Sequence, residues 1–271
     1  MVDVAAAVGL ICVICAAGLL AWRRVRGPTR GVLSALGRAS VLLAVSLPLV
    51  TSASWQLVRS RDVQFVGRLV DHVDTSDRVV ALTFDDGPTP GYSEEILEIL
   101  QAHGVRATFF VTGAELEAHP ELGQRIVSAG HELGNHSHSH QAMVGRSFAF
   151  IRDEIEGTDR LIRAAGHEGE ITFRPPYSKR LLALPAYLSA TGRTTIMFDV
   201  EPESYREIAA SHDRIVDHVI DQVRPGSIIL LHVMYEGRRE TMEAVPAIID
   251  ELRQRGYRFV TVAQLLVCGE S

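Results

Sequence analysis

Two long uncharged runs open the chain. Residues 4–22 and 39–58 contain no charged side chain, and the five arginines of the first 58 residues all lie between these runs. As helices that rise about 1.5 Å per residue, both runs are long enough to cross a hydrocarbon layer about 30 Å thick. Because basic loops stay on the cytoplasmic side of a membrane, residues 1–58 are predicted to form a membrane anchor. This anchor is a two-helix hairpin that leaves the rest of the chain on the outer side.

A cleaved signal peptide is the alternative interpretation of this region. Residues 23–38 would be its basic n-region and residues 39–50 its apolar core, with cleavage near Ala53. Both interpretations place the C-terminal part outside the cytoplasm. Residues 59–76 are polar and are predicted to be a tether.

From about residue 77, short apolar runs alternate with amphipathic stretches of helical period. The apolar runs predict strands over 79–84, 108–111, 132–134, 171–173, 195–198, 228–231 and 258–260. The amphipathic stretches predict helices over 93–103, 120–129, 148–165, 180–191, 212–223 and 241–255. Such alternation is typical of parallel strands joined by helical crossovers. Residues 77–271 are therefore predicted to form one α/β domain, either an open doubly wound sheet or a (β/α) barrel, complete or one unit short.

Charge and cysteine content narrow the possible functions. Residues 59–271 carry 22 basic and 32 acidic side chains, so the domain has no basic surface suited to nucleic acid. We therefore expect no nucleic-acid partner. The three cysteines are too few for a disulfide framework, and two of them lie in the first apolar run.

Polar clusters follow the carboxyl ends of five predicted strands. They are Asp85-Asp86, residues 135–140, residues 174–177, residues 201–203, and His232. The carboxyl ends of parallel strands meet at one rim, which is where α/β proteins build their sites. The clusters therefore predict a single site.

The residue types at this rim fit metal-assisted hydrolysis. His136 and His140 are four residues apart, so on a helical turn both imidazoles would point to one face. Two histidines and one aspartate leave a coordination position for water, as in catalytic zinc sites. The other aspartate could then act as a general base and a histidine as the acid. Each cluster alone also has a structural explanation, since Asp85-Asp86-Gly87-Pro88 is typical of a turn and paired surface histidines occur by chance.

The ordered motifs resemble those of NodB-type polysaccharide deacetylases, carbohydrate esterase family 4. The resemblance covers about residues 77–268, and its motifs are residues 83–88, 136–140, 174–177 and 230–232. It implies a distorted, incomplete (β/α) barrel. It also implies metal-dependent removal of acetyl groups from N-acetylated sugars.

The resemblance also implies roles for catalytic residues. Asp85 would be the general base and Arg174 would orient it. His232 would be the general acid, and the carboxylate that tunes this acid would be Glu201, with Asp199 as a competing candidate.

Further positions are implied to hold the metal and the substrate. One divalent ion, zinc first among the candidates, would be bound by Asp86, His136 and His140. The backbone N–H of Tyr177 would bind the oxyanion, Leu230 would line the slot for the acetyl methyl group, and Tyr205 would be a platform for a sugar ring.

Several positions depart from the family's usual pattern, which carries Asp where this chain has Glu201 and Asp-Trp where it has Ser204-Tyr205. These changes affect the expected groove shape and substrate choice more than the chemistry. We expect an extracytoplasmic enzyme on the bacterial cytoplasmic membrane that deacetylates peptidoglycan or another N-acetylglucosamine polymer. The alternatives are a catalytically silent glycan-binding module of the same fold and an O-acetyl esterase.

Overall fold

The computed structural model describes residues 46, 51, 52, 56, 58, 60 and 62–269. The chain divides into two compact units, Met1–Arg59 and Ser60–Ser271, and every element described below belongs to the second. No helix within the described residues is long and apolar enough to span a membrane. The predicted span 4–22 lies outside the described residues, as does most of the span 39–58.

Strands and helices alternate along the second unit. The strands are β1 (Leu69–Val70), β2 (Val79–Asp85), β3 (Thr108–Val111), β4 (Glu132–Asn135), β5 (Thr195–Ile196), β6 (Ile228–Leu231) and β7 (Arg258–Val260). The helices are α1 (Tyr92–His103), α2 (Gly113–Ala118), α3 (Pro120–Ser128), α4 (Phe148–Ala164), α5 (Ala183–Ala190), α6 (Arg206–Ala209), α7 (His212–Gln222), α8 (Arg239–Gln254) and α9 (Val262–Cys268). Short 3₁₀ turns span Pro176–Ser178 and Pro202–Ser204.

The strand ladders are parallel and follow a closed circuit. β2 pairs with β3, β6 and β7, β3 pairs with β4, and β1 pairs with β5. Single-residue parallel bridges complete the circuit, because Phe173 pairs with Asn135 and Thr195, and Val200 pairs with Ile229. The domain therefore has the predicted α/β fold with a parallel sheet, a distorted barrel whose ring is joined by ladders over part of its circumference and by single bridges over the rest.

The central strand shows why this part of the sequence reads as a continuous apolar run. All seven residues of β2 are buried, as expected for a parallel strand covered on both faces. Val80, Leu82 and Phe84 belong to the larger apolar cluster, packed with helix residues. Val79 and Ala81 belong to a second cluster with residues of β3, β5 and β6. Alternation continues to Thr83 and Asp85, so the strand ends with a carboxylate on the barrel's inner side.

Some elements differ from those predicted. Residues 171–173 form no strand beyond the bridges of Phe173, because Pro175 and Pro176, which follow closely, have no N–H to continue a ladder. The predicted tether 59–76 contributes β1, and the Val73 N–H donates to the Gly226 carbonyl at 3.0 Å. Part of this segment therefore belongs to the folded domain. The helices α2, α6 and α9 were not predicted.

Candidate metal and catalytic site

The strand ends bring the predicted polar side chains together at one rim. Asp85 ends β2 and Asp86 follows it, His136 and His140 follow β4, and His232 follows β6. Arg174 comes directly after the bridge residue Phe173 and contacts Asp85. The predicted convergence of these clusters is confirmed.

Asp86, His136 and His140 form a compact set of possible metal ligands. Their ligand atoms all lie within 4.8 Å of one another. Asp86 Oδ1 is 3.2 Å from His140 Nε2 and 3.7 Å from His136 Nε2. The same Oδ1 is buried and receives no hydrogen bond in the described part of the chain.

The hydrogen bonding of His136 indicates which kind of ligand these three side chains could bind. Its Nδ1 lies 2.7 Å from the Arg174 carbonyl oxygen, which can only accept a hydrogen bond. In the neutral imidazole Nε2 therefore carries the lone pair, as in metal-bound histidines whose other nitrogen donates to a carbonyl. A carboxylate oxygen without a donor then faces an imidazole lone pair, and a divalent cation would satisfy both. Asp, His and His are also ligands that zinc accepts.

A tight loop places the two histidines. Their rings are 5.0 Å apart, but the expected helical turn is absent, because Ser137 (φ 66°) and His140 (φ 53°) are left-handed. The Ser137 N–H donates to Asn135 Oδ1 at 2.8 Å. The buried carboxylate of Glu154 accepts from the His138 N–H at 3.0 Å and from the Ser139 N–H at 2.8 Å. Sequence reasoning missed Glu154, because it lies within a helix and not at a strand end.

Backbone strain is concentrated at this site. Five residues other than glycine have positive φ in the described part of the chain. Four of them, Asp86, Ser137, His140 and Tyr177, belong to the rim motifs, and the fifth, Ser178, directly follows one of these motifs. Each such conformation costs on the order of 1–3 kcal/mol and persists only where the surroundings enforce it. The strain therefore accompanies the placement of functional groups.

Asp85 and Arg174 form a buried ion pair. Arg174 Nη1 donates to Asp85 Oδ1 at 2.6 Å and to Thr83 Oγ1 at 2.8 Å. Its guanidinium also lies 4.0 Å from the centre of the Phe110 ring. Burial alone would raise the pKa of Asp85, but the charges of Arg174, His136 and His232, together with the Arg174 hydrogen bond, outweigh burial and lower the pKa below the ordinary value. Asp85 is therefore ionised at neutral pH.

His232 is paired with Glu203. Its Nδ1 donates to Glu203 Oε2 at 2.7 Å, and its backbone N–H donates to the same oxygen at 2.8 Å. The other oxygen of Glu203 accepts from Thr241 Oγ1 at 2.8 Å and from Arg238 at 3.4 Å. Burial alone would lower the pKa of His232, but the hydrogen bond and charge of Glu203, aided by Asp85 and Asp86, raise it to about 9. His232 is therefore a cation at neutral pH.

The prediction that Glu201 or Asp199 pairs with His232 is wrong, because the carboxylate on this ring is that of Glu203. The turn Pro202–Ser204 places Glu203 towards His232, while Glu201 accepts a hydrogen bond from the Ser204 hydroxyl. Asp199 accepts from the Ile228 N–H at 2.9 Å and from Ser227 Oγ at 2.9 Å. Glu203 lies in the predicted polar cluster, residues 201–203. The prediction therefore identified the correct cluster and the wrong residue within it.

The three residues predicted to contact substrate lie in different settings. Tyr177 is exposed, and its ring is 4.7 Å from that of His140. No described group accepts a hydrogen bond from its backbone N–H, which leaves this donor available to a ligand. Leu230 is buried within the second apolar cluster. Tyr205 is half exposed and its ring is 5.3 Å from that of His218 on α7.

Comparison with known proteins shows which family this chain resembles. The family described as polysaccharide deacetylase matches residues 72–196. A peptidoglycan-N-acetylglucosamine deacetylase of Bacillus cereus is 30% identical over 206 residues, which cover 76% of this chain and 96% of that protein. A chitooligosaccharide deacetylase of a Bradyrhizobium species is 34% identical over 200 residues, which cover 69% of this chain and 90% of that protein.

A solved structure shares the fold. The peptidoglycan N-acetylglucosamine deacetylase Bc1960 superposes with a TM-score of 0.69 at 30% identity, covering 73% of this chain and 92% of that one. The family match, the relatives and the shared fold agree with one another. This chain therefore belongs to the NodB-type polysaccharide deacetylases, carbohydrate esterase family 4.

Proposed function

We propose that this enzyme hydrolyses the N-acetyl groups of a cell-surface polysaccharide with the help of one divalent metal ion, zinc first among the candidates. Peptidoglycan or another polymer of N-acetylglucosamine is the proposed substrate. One observation carries the proposal: the donor-free oxygen of Asp86, facing two imidazole nitrogens, lies beside an ionised carboxylate in the same buried rim.

Asp86, His136 and His140 would hold the ion. When bound, the ion supplies Lewis-acid polarisation of the amide carbonyl and of a nearby water molecule. Asp85 acts as the general base and accepts a proton from the attacking water. Arg174 holds Asp85 in one orientation and keeps it ionised, through the 2.6 Å hydrogen bond.

Collapse of the tetrahedral intermediate requires a proton on the departing amine. The His232 cation supplies it from Nε2, because Glu203 holds Nδ1 and so fixes the direction of the ring. The N–H of Tyr177 stabilises the oxyanion, since no described group competes for it. Leu230 would line the slot for the acetyl methyl group and Tyr205 would support a sugar ring.

The enzyme is proposed to act outside the cytoplasm, anchored to a bacterial cytoplasmic membrane by residues 1–58. Support for this location comes from the two uncharged runs and from the basic residues between them. The relatives named for peptidoglycan deacetylation agree with a substrate that lies outside that membrane.

The alternatives explain less of the site. A silent glycan-binding module has no need of a buried base or of a histidine kept protonated up to about pH 9. An O-acetyl esterase would use the same base. A histidine that stays protonated is of most use to an amine leaving group, however, which cannot depart unprotonated.

The test is acetate release by the full-length protein in detergent from N-acetylglucosamine oligomers, peptidoglycan and an acetylated xylan. Stripping with a chelator should abolish release and zinc should restore it. Asp86→Ala should lose both bound metal and activity, whereas Asp85→Asn should retain the metal and lose turnover. Activity that survives metal removal would overturn the metal assignment, and acetate from the xylan alone would favour the esterase.

A further inference from the structure

A second buried guanidinium lies next to the loop that carries the Tyr177 N–H. Arg180 is only 1% exposed. Its Nη1 donates to the Ser178 carbonyl at 3.1 Å and lies 3.5 Å from Met197 Sδ, and its Nη2 donates to the Val63 carbonyl at 3.2 Å. One side chain thus joins this loop, the chain after β5 and the segment that leads into the domain.

The loop needs such support. Tyr177 (φ 56°) and Ser178 (φ 59°) are consecutive left-handed residues, a conformation that side chains other than glycine disfavour. Within the loop, the Ser178 and Lys179 N–H groups donate to the Pro175 and Pro176 carbonyls. The Tyr177 side chain is 59% exposed, so its own burial contributes little to holding the turn.

The lead-in segment, residues 62–73, supplies both the partner and the balancing charge for Arg180. Burial lowers the pKa of Arg180 to about 10, while the charges of Asp62 and Asp71 act in the opposite direction. Arg180 thus keeps its charge at neutral pH. The segment itself is fixed to the barrel because β1 pairs with β5.

We propose that Arg180 is a positioning residue for the oxyanion donor: it ties the lead-in segment to the left-handed turn at Tyr177 and Ser178 and so fixes the direction of the Tyr177 N–H. This inference rests on the proposed function, in which that N–H binds the oxyanion. It makes the lead-in segment a structural part of the active site.

The test compares Arg180→Met with Arg180→Lys in the full-length protein. Methionine keeps much of the aliphatic chain but donates no hydrogen bond, whereas lysine keeps the charge and some donor capacity. We expect Arg180→Met to lower kcat about tenfold or more with KM changed less than threefold, because the oxyanion develops only in the transition state. Arg180→Lys should recover part of this loss, and both variants should bind zinc as the wild type does.

Hydrogen exchange supplies a readout that does not depend on activity. The Ser178 and Lys179 amides donate within the turn, so Arg180→Met should speed their exchange while the strands stay protected. Arg163→Met is the matched control, since Arg163 Nη1 also donates to two carbonyls, those of His167 and Gly169, in a loop that carries no residue of the proposed site. It should leave kcat and exchange of the turn unchanged.

The outcomes separate this inference from the proposed function. A kcat within twofold of wild type, or unchanged exchange at Ser178 and Lys179, would overturn the role of Arg180. The role would also be overturned if Arg180→Met lost both its bound zinc and the hydrogen-exchange protection of the whole barrel, because Arg180 would then have a general structural role. If the wild type released no acetate from any substrate, the proposed function would fail, and the exchange data would still decide whether Arg180 holds the turn.

Discussion

At the scale of single residues, Glu203 sets the charge of His232. Its carboxylate accepts hydrogen bonds from both the ring and the backbone of the histidine, and Thr241 and Arg238 bind its second oxygen. Glu203 is therefore a buried acceptor with partners on both oxygens. Its hydrogen bond and its charge, together with the charges of Asp85 and Asp86, stabilise the imidazolium more than burial destabilises it.

Replacing Glu203 by glutamine should lower the pKa of His232 from about 9 towards its ordinary value near 6.5. Because His232, the proposed general acid, must be protonated to act, activity should be lost as pH rises through this pKa. The alkaline limb of the kcat/KM profile should therefore move down by about two pH units in Glu203→Gln.

Glu201→Gln is the matched control, because Glu201 lies in the same acidic cluster and its carboxylate accepts from Ser204. Its alkaline limb should stay where the wild type has it. A limb that moves in Glu201→Gln and not in Glu203→Gln would contradict the assignment.

The site residues at the strand ends could be predicted from the sequence, but Glu203, which lies in a turn, could not. Asp85, Asp86, His136 and His232 follow directly from the rule that the carboxyl ends of parallel strands share a rim. Glu203 lies in a 3₁₀ turn, whose direction depends on how Pro202 and its neighbours pack. The pattern of apolar and polar residues in the sequence does not distinguish Glu203 from Glu201.

At the scale of elements, the helix α2 shows how a short segment supports the ligand loop. The N–H groups of Gly113 and Ala114 donate to the carbonyls of Ser137 and His138, both at 2.9 Å. A Cβ at Gly113 would lie 2.5 Å from His138 Cδ2 and 2.5 Å from Thr158 Oγ1. Glycine at this position therefore lets the loop approach the helix.

We expect Gly113→Ala to destabilise the domain by about 1–3 kcal/mol, as overpacking does. Gly157→Ala is the matched control, because its Cβ would face the same His138 ring at 3.7 Å, an ordinary contact. Within α4 this change should be neutral or stabilising by up to about 1 kcal/mol. Urea unfolding of the two variants would show it, and equal losses of stability would refute the close approach at Gly113.

The carboxylate of Glu154 on α4 should matter for metal affinity without touching the metal. It holds the His138 and Ser139 N–H groups, and these residues lie between the two proposed histidine ligands, His136 and His140. In Glu154→Gln, an amide NH₂ replaces one acceptor oxygen, so we expect zinc affinity to fall about 10- to 100-fold.

Competition with a chromogenic chelator would measure this affinity. Glu156→Gln, on the same helix, changes an exposed carboxylate that accepts from the Tyr187 hydroxyl. It should bind zinc as the wild type does. Equal affinity in all three proteins would show that Glu154 does not order the loop.

Long elements were predictable from the sequence and short ones were not. The strands β3, β6 and β7 begin and end where the apolar runs do. In contrast, β1 has two residues and α2 has six, which is too short for a period to show. Their positions depend on partners far along the chain, such as Thr195 for β1.

At the scale of the whole molecule, one buried histidine makes stability depend on pH. His131 accepts a hydrogen bond from the Ala107 N–H at 3.1 Å through Nδ1. Burial, aided by the charge of Arg106, lowers its pKa to about 4. Between pH 6.5 and 4 the unfolded chain therefore binds a proton that the folded protein does not, and stability is lost as pH falls.

We expect His131→Asn to weaken this dependence, because asparagine can still accept from the Ala107 N–H but does not titrate. From pH 7 to pH 5 the wild type should lose about 1–2 kcal/mol more free energy of unfolding than the variant. Urea titrations at several pH values would measure both curves. Parallel curves would assign the dependence to other groups.

Arg174 connects the buried ion pair with Asp85 to the proposed metal ligands. Its guanidinium contacts Asp85, and its carbonyl oxygen receives the hydrogen bond of His136. A shift of Arg174 would therefore move Asp85, the proposed base, and His136, a proposed ligand, together. The spacing between these two side chains thus depends on one residue. Anyone who transfers this chemistry to another barrel would have to transplant the residue with its backbone, and the side chain alone would not suffice.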